Sequence, residues 1–271
     1  MTTVAAKGAN LFTTTQGRGR ACLWLTAIGA GPYEAQAPRP LLDHLQVTFV
    51  ELRGSGRSTG AAADLTFDLL AEDLEAVRRS LGVEQVLVLG HSILGMLAIE
   101  YARRCPASVS GAVTAGTPPH GDMAKLMEQA KAFFCEDASE ERRKIQQEAL
   151  ARLPPGAPPG AVLMAQTPSR FYDPRADAAP LYATASPRPE LTQHLLTRLS
   201  PTWEVTQGPG LRAPLLLTHG RADYVVPHTL WGPALPKLPA ATFRLFEKSG
   251  HQPFFEEPEA FTRAVLDWLP N

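Results

Sequence analysis

The sequence predicts an α/β fold: a mostly parallel central sheet flanked by helices, with an inserted helical lid. Three observations predict it. Short, nearly all-apolar runs alternate with segments of helical period through residues 1–117. The alternation breaks over 118–206, where the chain is helical and Pro-rich. It then resumes over 207–271. Strands that are apolar on both faces belong in a sheet covered on both sides, which is the setting of parallel strands. The boundaries therefore assign 1–117 and 207–271 to one α/β core and 118–206 to an insertion.

Taken in order, Leu23 to Ile28 reads as a buried strand running into the loop Gly29-Ala30-Gly31-Pro32. A helical turn at Leu41 to Leu45 precedes a second strand, Gln46 to Leu52, which ends at Arg53-Gly54-Ser55-Gly56-Arg57-Ser58. Thr66 to Leu81 carries Leu69, Leu70, Leu74, Val77 and Leu81 at helical spacing. Val86 to Leu89 is a fully apolar strand. Gly90-His91-Ser92 turns it into a helix from Ile93 to Arg104, and Val109 to Ala115 is the next strand. Within the insertion, Met123 to Phe134, Glu140 to Leu153 and Leu191 to Leu199 read as helices. The run Arg142-Arg143-Lys144 reads as a solvated helix face. Leu215 to Thr218 and Thr242 to Phe246 complete the strands, and Pro258 to Leu269 is a final helix.

Composition narrows the function classes. With 44% hydrophobic and 20% charged residues, the chain has the make-up of an ordinary globular protein. A formal net charge of -1 provides no field for nucleic acid or an anionic membrane. No apolar run is long enough to span a bilayer. Three widely spaced cysteines suggest neither a disulfide framework nor a zinc site. Together with an N-terminus lacking a secretory pattern, they point to a cytoplasmic protein with reduced thiols.

Chemistry concentrates on three loops. Ser92 sits in the strand–turn–helix context of a nucleophile elbow, with Gly90 two positions before it. The position two after is Leu94, and the glycine comes one later, at Gly95. The competing reading is a Ser92 that merely caps the helix. A serine hydroxyl needs a base, and the base needs an orienting carboxylate. Asp223 and His251 follow later strands in the order expected for this arrangement. Asp122 is the fallback acid. For Asp223 the competing role is a turn-forming side chain, and for His251 a loop histidine that only braces. Backbone N–H groups of Ile93 and Gly31 are the expected oxyanion donors. Phe133, Phe134, Phe171, Tyr172 and Trp203, with Met164 and Leu195, are candidate pocket liners in the insertion. His219, at a strand end, reads as a packing residue. No metal or organic cofactor is required by this constellation.

Four segments together resemble the α/β-hydrolase superfamily and, within it, the proline iminopeptidase-like branch. They are Ile28-Gly29-Ala30-Gly31-Pro32, Glu51-Leu52-Arg53-Gly54-Ser55-Gly56-Arg57-Ser58, Gly90-His91-Ser92-Ile93-Leu94-Gly95, and the pair Gly220-Arg221-Ala222-Asp223 with Ser249-Gly250-His251. The resemblance implies acyl transfer through Ser92. Several positions depart from the branch: Gly29-Ala30-Gly31-Pro32-Tyr33 stands for His-Gly-Gly-Pro-Gly, Glu51 for Asp, and Ile93 for Trp. Iminopeptidases also hold a free amine with lid carboxylates. Here Glu128, Glu136, Asp137, Asp173, Asp177 and Glu190 supply acids without that pattern. Three readings follow: a serine hydrolase of a small carboxylic ester or amide; an iminopeptidase-type exopeptidase acting on short peptides; and a non-catalytic ligand-binding protein on the same fold, for which a displaced Ser92 would be the sign. The sequence leaves the oligomeric state open.

Overall fold

The computed structural model describes residues 1–269. Eight strands form one sheet: β1 (Thr2–Ala6), β2 (Ala9–Gln16), β3 (Arg20–Thr26), β4 (Leu45–Glu51), β5 (Val86–His91), β6 (Val109–Ala115), β7 (Leu215–Gly220) and β8 (Ala241–Phe246). Their spatial order is β1-β2-β4-β3-β5-β6-β7-β8. From β4 to β8 every pairing is parallel, while β1 and β2 add an antiparallel edge. The sequence reading does not include this edge hairpin. Its Thr-rich second strand lacks the all-apolar signature of the interior, because antiparallel strands can leave one face partly in water.

The two faces of the sheet each carry an apolar core. Helices Phe67–Ser80 and Ile93–Arg104 cover one, and Pro258–Trp268 covers the other. Leu23 and Leu25 face the first core, whereas Cys22 and Trp24, one residue out of phase, face the second. That alternation is why these strands read as unbroken apolar runs. Parallel register then aligns the carboxyl ends. His91 pairs with Ala115, Ala115 with Thr218, and Gly220 with Phe246. The loops after β5, β6, β7 and β8 therefore leave the sheet along one rim, where ligands bind in open parallel sheets.

The Arg-Gly-Ser-Gly-Arg-Ser segment has a structural use. Arg53 makes a bidentate pair with Asp73 of the helix Phe67–Ser80, at 2.7 and 2.6 Å, with both side chains almost fully buried. Arg57 donates from its backbone and guanidinium to Glu51, and Glu51 also accepts the N–H of Ala30 at 3.0 Å. Glu51 thus ties the loop after β3 to the loop after β4. Removing one partner of a buried pair leaves the other charge uncompensated. Asp73→Ala is therefore expected to cost about 3–5 kcal/mol of folding stability, read as a lowered urea midpoint. A midpoint within error of wild type would show that water or a neighbour replaces the carboxylate.

Between β6 and β7 the chain is predominantly helical, with Met123–Asp137, Glu140–Ala151 and Pro189–His194 among its helices. The run at 142–144 is not a plain solvated face. Arg142 is buried and donates to the carbonyls of Pro168, Phe171 and Tyr172. Three otherwise unpaired carbonyls on an irregular segment explain the burial, since buried backbone acceptors require donors. Arg142 thereby pins the stretch that carries Arg170.

Candidate active site

Ser92 has φ 56° and ψ -133°, and it is the only non-glycine residue with positive φ among the described residues. The conformation is costly for a side-chain-bearing residue and is held from both sides. Its N–H donates to Ala115 on β6, and its carbonyl accepts from Gly95. Ser92 makes no side-chain cap bond to the helix it precedes, so the capping role is not the one it plays. The strain leaves the hydroxyl at the mouth of the helix Ile93–Arg104.

The small residues of the turn follow from its packing. A Cβ on Gly90 would lie 2.3 Å from the Leu94 carbonyl oxygen. A Cβ on Gly95 would lie 1.9 Å from Thr117 Oγ1. The tight helix–strand contact thus falls on position 95. Leu94 is free to be large, and its side chain is buried in the core while bordering the cavity described below. A leucine at the second place after Ser92 leaves the elbow intact.

Asp223 and His251 meet as expected from their order. His251 Nδ1 lies 2.8 Å from Asp223 Oδ2. A carboxylate accepts, so Nδ1 carries the proton and Nε2 keeps its lone pair. The other oxygen, Oδ1, accepts the N–H groups of Val225 and Val226 at 2.9 and 2.8 Å. Asp223 thus closes the turn with one oxygen and meets the His251 ring with the other. Both side chains are almost fully buried. Gly116, at φ 56°, packs beneath them: a Cβ there would lie 2.8 Å from His251 Nδ1 and 3.1 Å from Asp223 Oδ2. Asp122, the alternative acid, only caps the helix Met123–Asp137 by accepting from Lys125 N–H.

Two further residues brace His251. His91 Nε2 lies 2.9 Å from the His251 carbonyl, so it must donate. Nδ1, 3.1 Å from the Tyr33 hydroxyl, then accepts. Burial, followed by the nearby His251, pushes the His91 imidazole well below its usual range and keeps it neutral. Its ring lies 4.6 Å from that of His251, centroid to centroid. Glu256 accepts from Tyr172 N–H at 2.6 Å and Gly250 N–H at 2.7 Å, clamping the His251 loop to the helical insert. His219 stacks on Phe243, and burial lowers it to about 4, in keeping with a packing role.

Burial, with Asp223 adding to it, raises the Glu256 carboxyl from 4.5 to about 7 against the pull of its backbone donors. The folded chain then holds a proton that the unfolded chain has lost, so stability falls as pH rises through that window. Relative to Glu256→Gln, the wild type is expected to lose on the order of 3 kcal/mol between these limits. Urea midpoints at acid and mildly alkaline pH check this. Parallel pH profiles for the two proteins would contradict it.

Residues 25–258 match the family described as alpha/beta hydrolase fold. The chain belongs to that family. AB hydrolase superfamily protein YclE of Bacillus subtilis (strain 168) is 32% identical over 235 residues, covering 83% of both chains. Pimeloyl-(acyl-carrier protein) methyl ester esterase of Sodalis glossinidius is 29% identical over 268 residues, covering 96% of this chain and 97% of that one. The crystal structure of proline iminopeptidase from Mycobacterium smegmatis superposes with a TM-score of 0.73 at 21% identity, covering 99% of this chain and 97% of that one. With an esterase and hydrolases among its relatives, the chain is a hydrolase.

In this α/β-hydrolase a cavity of about 370 Å³ opens at the rim and is bordered by both Ser92 and His251. Its walls correct part of the sequence reading. Phe133 and Phe134 pack on Tyr224 instead. Phe171 is buried away from the cavity and Tyr172 faces solvent, while Trp203 is buried and donates to Glu100. None of these five borders the cavity, because the rings that are buried or half-buried serve to seat the insert on the α/β core, Trp203 in the sheet's own apolar cluster and Phe133 and Phe134 on Tyr224. The insert contributes Leu163, Arg170, Tyr182, Thr192, Leu195 and Leu196 to the wall. Gly31 also lies off the wall; it opens the helix Gly31–Gln36 with its Cα against the Thr184 hydroxyl. From that loop Ala27 and Ile28 border the cavity, and Ile93 does so from the elbow. Among the described residues, no helix is long and apolar enough to cross a membrane.

Proposed function

We propose that this hydrolase cleaves a small carboxylic ester through an acyl-serine intermediate. The observation carrying the reading is a strained, uncapped Ser92 that shares one cavity with a His251 whose tautomer is set by Asp223. His251 Nε2 takes the Ser92 proton as Oγ bonds to the carbonyl carbon. It returns that proton to the departing alkoxide when the carbonyl–oxygen bond breaks, and water reverses the sequence. Ile93 N–H, at the helix N-terminus, is one oxyanion donor. The loop after β3 supplies the second: Ile28 borders the cavity, and its N–H, which donates to Thr26 Oγ1 at a long 3.3 Å, turns to the oxyanion in place of Gly31. The helical insert acts as the lid that shapes the acyl pocket.

Two alternatives draw less support. A peptide amino terminus calls for carboxylates, and no Asp or Glu borders the cavity among the described residues. A non-catalytic protein would have no use for the strained turn that Ser92 keeps. The test is turnover of 4-nitrophenyl esters together with covalent labelling by a fluorophosphonate. An N-terminal Pro anilide cleaved in preference to both its blocked form and the esters would favour the exopeptidase instead.

A further inference from the structure

The cavity wall carries two kinds of residue. Ile28, Ile93, Leu94, Leu163, Leu195 and Leu196 are apolar. Tyr33, Gln36, Arg170, Tyr182 and Gln252 are polar. Among the polar ones, several groups lack what buried polar groups ordinarily have. Arg170 Nε is buried without a hydrogen-bond partner, and the Oε1 atoms of Gln36 and Gln252 are likewise unsatisfied. Among the described residues no carboxylate pairs with Arg170: the acid whose charge it feels, Asp223, is committed to His251 and two backbone N–H groups.

A buried guanidinium N–H without a partner is expensive, and an arginine keeps its charge. The fold does not recover that cost through the side chain. Arg170 contributes to the architecture through its backbone, whose carbonyl accepts from His251 N–H at 2.6 Å, while Arg142 fixes the surrounding segment. Its side chain thus borders the same cavity as Ser92, with a free donor at Nε and no paired carboxylate among the described residues. Gln252 stands next to it in function. Its amide donates to the Tyr182 hydroxyl, and a half-turn exchanges which end meets that hydroxyl. Gln252 can therefore present an N–H₂ to the cavity.

Resting on the esterase reading above, we propose that the substrate carries a carboxylate that pairs with Arg170, while its apolar part lies against the leucine-lined wall. Two placements share this chemistry: the carboxylate ends the acyl chain, or it belongs to the leaving alcohol. Mono-4-nitrophenyl glutarate against 4-nitrophenyl valerate tests the first. 4-Acetoxybenzoate against its methyl ester tests the second.

In at least one pair the wild type is expected to favour the anionic ester by roughly ten- to a hundredfold in kcat/KM, mainly through KM, the range of one charged hydrogen-bonded contact. Arg170→Met should collapse that ratio to about one, and Arg170→Lys should restore part of it. A wild-type ratio near one in both pairs overturns the anion site, needs no variant, and leaves the esterase reading standing. If no ester turns over, the esterase reading fails and calorimetry with glutarate and benzoate decides the anion site. Binding by wild type that Arg170→Met abolishes supports it, and no binding of either acid overturns it.

Discussion

Ser92→Ala is expected to lower kcat for a 4-nitrophenyl ester by roughly 10⁴- to 10⁶-fold and to abolish fluorophosphonate labelling. The magnitude follows from replacing a two-step covalent route by direct attack of water, with only the oxyanion donors and binding left. The variant should fold. The turn is held by the Ser92 N–H to Ala115 and by its carbonyl to Gly95, and both are backbone bonds that alanine keeps. The hydroxyl contributes no cap, so helix stability loses nothing with it. An alanine at φ 56° carries a similar steric cost, so the urea midpoint should stay close to that of wild type. KM should change little, because the cavity walls are untouched. Labelling that persists in Ser92→Ala would move the nucleophile elsewhere and remove the basis of the proposed mechanism.

What could be read from the chain, and what could not, divides along a physical line. Strand and helix periods are local, so the core from β3 onward and the order Ser92, Asp223, His251 were readable from neighbours in sequence. The elbow was readable except for the consequence of Leu94. That depended on Thr117 meeting position 95 across the helix, a contact between separate segments. Most of the cavity wall was unreadable for the same reason, although Leu195, a candidate by type, does border it. Phe133, Phe134 and Trp203 looked like pocket liners by type, but large rings go first to whatever core needs filling. The residues that do line it from the insert sit on short irregular helices such as Thr167–Arg170 and Ala179–Tyr182, whose placement depends on remote anchors like Arg142. Arg142 itself looked solvated because its run of charges is a local feature and its three carbonyl partners are not. Arg170 had no local signal at all, and Gly116 had only a weak one. A glycine directly after a strand was the nearest hint for the second, since positive φ favours it.

Asp223→Asn should lower kcat by about 10⁴-fold, and the geometry of this carboxylate says why. Oδ1 accepts two backbone N–H groups, from Val225 and Val226, while Oδ2 accepts His251 Nδ1–H. An asparagine has one acceptor and one donor end to distribute over these three donors. If its oxygen stays with the two backbone groups, its N–H₂ faces His251 Nδ1. The imidazole must then place its proton on Nε2, the atom needed to receive the proton of Ser92. If the amide turns over instead, the correct tautomer is kept, but an N–H₂ is pressed against two buried N–H donors. That loses two hydrogen bonds and leaves donors unsatisfied, at about 1–3 kcal/mol for each such group. The first orientation therefore wins, and the histidine is held in the tautomer that cannot act as base. The variant should keep a nearly native urea midpoint while losing turnover, a combination that separates it from simple unfolding. Nitrogen NMR of His251 should show the protonated nitrogen exchanged from Nδ1 to Nε2. Turnover within about tenfold of wild type would mean that Asp223 serves the turn alone, and that His251 is oriented by its backbone bonds and the packing of His91 and Gly116.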